Sequence, residues 1–255
     1  SAPMISGFMK MYVSTLHQTA MAQIVLGKLT DAMQNIRKIR DIGKLYPQFS
    51  KSIPPELLFK HSVATETHLY LLIPDYEGGV KEIPRIESGL KKFQRTLPKQ
   101  TQYAAYYNIA LLYFGTGDYH KALTWINRIL DENKDEYTLD LICGSKILFL
   151  IIHLELENED LLEYAAQSTL RFLTTRKRKY KTESVFLDLL KTILHPGPKK
   201  NLLTVYPEML AQFKKLVADP YEKGAFEFFD FISWLESKVS GKSFAEIVQE
   251  KAGKQ

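Results

Sequence analysis

Residues 103–134 read YAAYYNIALLYFGTGDYHKALTWINRILDENK, and this stretch decides the fold. In its first half Tyr106, Ile109, Ala110 and Tyr113 recur at helical spacing, and in its second half Ala122, Ile126 and Ile129 do the same. Steps of three and four place side chains on one face of an α-helix, whereas a half-buried strand alternates. Between the halves stand Gly115, Gly117 and Asp118, a break of turn-forming residues. Gly117 permits the tight reversal. Two antiparallel helices pack closely only where a small side chain meets a large one. Ala110 and Ala122, set against Tyr106 and Tyr113, meet that need. The stretch predicts a helical hairpin.

Outward from it, the same signals cover the chain. Breaks at Gly27, Pro54, Pro74-Asp75, Glu157 to Asp160, His195 to Pro198, Asp219-Pro220 and Gly241 separate segments of helical length. No Asn-Gly or Asp-Gly turn sits between alternating apolar runs, so hairpin strands are not expected. The fold class read from this is all-α. From Val13, residues Ala20, Gly27, Ala32, Ile36 and Ile39 stand at the offsets of Ala110, Gly117, Ala122, Ile126 and Ile129. From Lys60 the corresponding places hold Val63, Tyr70, Asp75-Tyr76, Gly79, Ile83 and Ile86, with Pro84 inside or opening the second helix. A fourth copy from Lys146 offers Phe149, Ile152, Leu156, Ala165 and Phe172 but lacks the glycine turn.

The unit at 103–134 resembles a tetratricopeptide repeat (TPR), a helix–turn–helix of about 34 residues. The resemblance implies a right-handed TPR-like solenoid over residues 10–181, with units starting near 13, 60, 103 and 146. Residues 182–255 then form a C-terminal helical cap or a further, divergent repeat. Thr182 to Leu194, Leu202 to Ala218, Tyr221 to Ser240 and Ser243 to Ala252 read as its helices. The last opens with a capping-box pattern, Ser243-x-x-Glu246. Phe226, Phe228, Phe229, Phe231, Trp234 and Leu235 crowd what reads as one buried helix.

Composition excludes several classes. The 255 residues are 45% hydrophobic and 25% charged, as in folded proteins rather than disordered ones. The net charge of +5 is too small to imply nucleic acid by itself, which is disfavoured as a partner. The longest apolar run, Ile147 to Leu154 with His153 inside it, is far short of the roughly 20 residues of a membrane span. No secretory leader is apparent, so the expected location is cytoplasmic. The single cysteine, Cys143, sits in an apolar stretch and reads as a small buried hydrophobe.

Candidate chemistry is sparse. Gly241-Lys242-Ser243 lacks the upstream glycine and the strand of a phosphate-binding loop, so it reads as a helix break followed by an N-cap. Gly115-Thr116-Gly117 reads as a turn. No His-Glu-x-x-His or Gly-x-Ser-x-Gly pattern occurs, so the sequence implies no metal, no cofactor and no catalysis. Arg171, Arg176, Lys177, Arg178, Lys179 and Lys181 form a basic patch, suited to an acidic partner or simply to a solvated helix end.

The TPR resemblance implies a concave peptide groove lined by the first helix of each unit. Carried onto this chain, the groove holds His17, Met21 and Ile24, then His61, Ala64, His68 and Leu71, then Tyr107, Leu111 and Phe114. Asn108 stands where similar proteins hold a peptide backbone. Packing between helices is the alternative use of these residues. The lysines and arginine with which some members clamp a terminal carboxylate have no counterpart here, and His17 takes the place of the first lysine. The function implied is a non-catalytic protein- or peptide-binding scaffold. Its alternatives are a ligand- or peptide-sensing regulatory module, and an electrostatic binder acting through 171–181.

Overall fold

Every segment between the breaks is helical. The structure, a computed structural model, describes residues 2–132, 139–175, 180–195 and 202–253, and contains no strand among them. The chain divides into two compact units, Ser1–Leu112 and Tyr113–Gln255. The first holds α1 (Ala2–Val25), α2 (Leu29–Leu45), a 3-10 turn (Pro47–Ser52), α3 (Pro55–Leu72), α4 (Tyr76–Phe93) and most of α5 (Lys99–Gly115). The second holds α6 (Tyr119–Asp131), α7 (Leu139–Glu155), α8 (Glu159–Thr175), α9 (Lys181–Leu194) and α10 (Leu202–Leu216). It ends with α11 (Lys223–Phe228), α12 (Phe231–Ser240) and α13 (Phe244–Ala252).

In the first unit α1, α2, α3 and α4 pack in chain order, and α1 also touches α3. Side-chain distribution explains the arrangement. α2 buries a stripe (Ala32, Ile36, Ile39) and α4 another (Gly79, Ile83, Ile86, Leu90), with charged residues on their outer faces. α3 is buried around much of its circumference, through Ser62, Val63, Glu66, Leu69 and Tyr70. It therefore lies between neighbours. Pro84 lies inside α4 with its ring exposed.

In the second unit α6 packs on α7, α7 on α8, α8 on α9 and α9 on α10, while α12 bridges α10 and α13. α7 is the enclosed helix, with Ile142, Ile147, Leu148, Leu150, Ile151 and Ile152 all buried. α9 thus packs on α8 as well as on α10. Between α9 and α11 the buried Glu222 carboxylate accepts from the Lys181 and Thr182 backbone N–H groups at 3.0 and 2.8 Å. Those donors have no partner within the helix, and the dipole there favours an anion.

Four turns share one hydrogen-bond pattern. Lys28, Asp75, Asp118 and Asn158 each donate their N–H to the carbonyl five residues back, on Gln23, Tyr70, Tyr113 and His153. Each then accepts from the N–H four residues ahead. The first bond closes a Schellman turn. Gly27 and Gly117 supply the left-handed residue, with φ of +71° and +77°. In the fourth turn Glu157 takes that conformation, at φ +56°. A glycine-less sequence thus makes the same turn, three residues earlier than the copy counted from Lys146. The buried Leu162, not Ala165, stands at the offset of Ala122.

The expected single helix 221–240 is two. Phe229 is extended (φ −148°, ψ 137°), and Asp230 caps α12 by accepting from the Ser233 N–H at 2.9 Å. The break lets Phe229 and Phe231 meet edge to face, 5.2 Å between centroids, and Phe231 approach Phe213 and Phe186. The capping box at Ser243 forms as read: Ser243 Oγ accepts from the Glu246 N–H, and the Glu246 carboxylate accepts from the Ser243 N–H. Gly241 ends α12 at φ +73°, and Lys242 pairs with Glu250.

Candidate functional site

Within the first unit, α1, α3 and α5 are joined along one surface by polar contacts. His17 Nε2 on α1 lies 3.3 Å from Thr65 Oγ1 on α3, and its ring meets that of His61 edge to face at 5.2 Å. Asn108 on α5 donates through Nδ2 to the Ala64 carbonyl and to Thr67 Oγ1, both at 3.1 Å. The buried or half-buried partners on α3 therefore hold the helices on either side in register.

Around these contacts lies a row of residues that the packing leaves partly open. His17, Ile24, His61, Ala64, Leu71, Asn108 and Leu111 are half-buried, while Met21 and His68 are exposed. On α3, His61, Ala64, His68 and Leu71 follow steps of three and four and so share one face. The row carries no carboxylate. Desolvation lowers the pKa of His17, and desolvation together with His17 and Lys60 lowers that of His61. Both imidazoles are thus held neutral near pH 7, where each offers one donor and one acceptor. The surface is apolar with neutral hydrogen-bonding handles.

Two of the residues assigned to the groove from sequence do not line it. Tyr107 is buried, and burial raises its phenol pKa. Phe114 belongs to the second unit, 1% exposed, with Tyr119, Phe229 and Phe244 around its ring. On α5 Ala104, Asn108 and Leu111 are half-buried at helical steps, whereas Tyr107 and Phe114 are buried. Asn108 is committed to α3 by its amide nitrogen.

No sequence signal marks a further feature of this unit, an ion cluster built around one buried carboxylate. The fully buried Glu66 carboxylate accepts from Arg40 at 2.6 Å and from Arg85 at 2.8 Å, and Arg85 also pairs with Glu82 at 2.7 Å. The arginines come from α2 and α4, so no local motif announces them. In the second unit Glu155 plays a similar part, accepting from Trp234 Nε1 at 2.7 Å and pairing with Lys238 at 2.6 Å. Burial first, then the Glu155 carboxylate, raise the Tyr119 phenol pKa. Both carboxylates tie helices together.

Of the basic patch, Arg171 is exposed on α8, and Lys181 opens α9, exposed and 3.6 Å from Asp219. Arg176, Lys177, Arg178 and Lys179 lie outside the described residues. Among the described residues no group of three or more His, Cys, Asp and Glu is placed to hold a metal ion, and no helix is long and apolar enough to cross a membrane. Comparison with family models, with curated proteins and with solved structures gives no match to this chain.

Proposed function

We propose that the chain is a TPR-like helical-repeat scaffold that binds an uncharged, largely apolar segment of a protein partner on the α1–α3–α5 face of its first unit. The observation that carries the reading is the row His17, Met21, His61, Ala64, His68, Leu71 and Leu111, open on three side-by-side helices and free of carboxylates. Apolar side chains of the bound segment lie against Ala64, Leu71 and Leu111, and its backbone takes up the imidazoles and the Asn108 carbonyl. The four recurring turns support the repeat reading, since they return every 40 to 47 residues with the same hydrogen bonds.

The test is selection of binders from a random peptide library on the intact chain, followed by affinity measurement against Ala64→Arg and Leu111→Glu. Loss of at least tenfold in both variants, with Tyr164→Ser on the exposed side of α8 unchanged, is the expected result. Peptides that bind wild type and both face variants equally would overturn the assignment.

A further inference from the structure

α1 has two apolar sides, and only one of them is covered. Val13 and Ala20, fully buried, face the rest of the unit. On the opposite side Met4, Phe8 and Met11 are 57, 59 and 60% exposed, and Thr15, Thr19, Ala22 and Leu26 continue the strip, all exposed. Leu26 follows the helix's course, since its N–H donates to the Ala22 carbonyl at 3.1 Å. α1's single charged residue, Lys10, falls off this strip, on the side of His17. α2 and α4, by contrast, cover their outer faces with charges. A helix that is apolar on all sides is one that is buried on all sides.

The order of residues along the strip fits a second copy of the chain. Positions 4, 8, 11, 15, 19, 22 and 26 advance by 4, 3, 4, 4, 3 and 4, the same series from either end. An antiparallel copy related by a two-fold axis beside Thr15 therefore meets the strip in register. In that register Phe8 of one copy lies over Ala22 of the other, and Met11 over Thr19, large side chains against small ones. Met4 meets Leu26. The strip carries no charge, so the two copies bring no like charges together. It is about 33 Å long, and Met4, Phe8, Met11 and Leu26, 57, 59, 60 and 69% exposed, with the smaller residues between them, offer on the order of 500 Å² to be removed from water on each copy. The total, about 1,000 Å², reaches the size at which specific interfaces begin.

We infer that the outer face of α1 is a self-association surface, on which two copies of this chain pair antiparallel about Thr15. The interface lies on a different side of α1 from His17 and Met21, so it stands independently of the peptide-binding proposal. Sedimentation equilibrium of the 255-residue chain tests it. A reversible dimer is expected, with Phe8→Glu raising the dissociation constant at least tenfold and leaving the circular dichroism unchanged.

Cysteine cross-linking then reads the direction. Met4→Cys chains mixed with Leu26→Cys chains form the mixed disulfide in preference to either homodimer. A chain monomeric at 100 μM, whether the strip then takes another protein or a lipid surface, overturns the inference. So does a dimer indifferent to Phe8→Glu, or preferential Met4→Cys homodimers, which report parallel pairing.

Discussion

Glu157 occupies the left-handed backbone region at φ +56°, where two sister turns use glycine. That conformation costs a residue with a Cβ about 1–2 kcal/mol, part of which glycine's greater freedom in the unfolded chain cancels. Glu157→Gly is therefore expected to stabilise the protein by about 0.5–1 kcal/mol in urea denaturation. Glu66 presents the opposite case. Removing the buried carboxylate takes away the acceptor that links α2 to α4, but Arg40 keeps Asp41 and Glu82 and Arg85 keeps Glu82, both at part-exposed positions, so Glu66→Ala should lose about 1–2 kcal/mol by the same measurement. Gly27 and Gly117 were legible as turns because glycine advertises a left-handed site. Glutamate at 157 advertises nothing, and the arginines that meet Glu66 stand 26 and 19 residues away in sequence.

Helices approach one another as closely as their smallest residues allow. A Cβ on Gly79 of α4 would sit 2.7 Å from a Leu112 methyl carbon and 3.0 Å from Tyr70 Cβ. Leu112 is fully buried and has no room to retreat. Gly79→Ala is thus expected to destabilise by about 1–2 kcal/mol despite its better helix propensity, a loss readable as a lower thermal midpoint. At the junction of α11 and α12, Asp230→Ala removes the cap on Ser233 and should cost about 1 kcal/mol. Element existence was plain from spacing and breaks. The α11–α12 break was not, because seven large apolar residues in the ten positions 226–235 mask helical periodicity, and a lone Asp230 is a weak signal among them. The position of the fourth repeat slipped for a related reason: with no glycine to anchor it, apolar steps alone admit several registers.

At the scale of the whole molecule, proton binding should matter below neutrality. Desolvation lowers the pKa values of His17 and His61 in one unit and of His153 in the other, from an ordinary 6.5. A lowered imidazole pKa means that the unfolded chain binds protons first. Stability is therefore full above about pH 6.5 and falls as the pH drops through the lower folded values. Denaturation midpoints measured from pH 8 to pH 5 should decline below 6.5, and His17→Gln with His61→Gln should flatten part of that slope. All-helical architecture and a repeated hairpin were legible from one 32-residue stretch. Which side of α5 stays open was not, since that depends on aromatic partners such as Phe229 and Phe244, more than 100 residues further along the chain.

Cys143 is 6% exposed and lines a small space of about 20 Å³, beside Gly144 and Phe228. That volume is room for roughly one water and none for a labelling reagent. Since this is the sole thiol of the chain, its rate of modification by a maleimide reads how often the surroundings of α7, which include Glu183, Phe228 and Phe231, open. The protein carries its own reporter of local opening around Cys143, and a stopped-flow trace of one thiol reads it without any engineered probe.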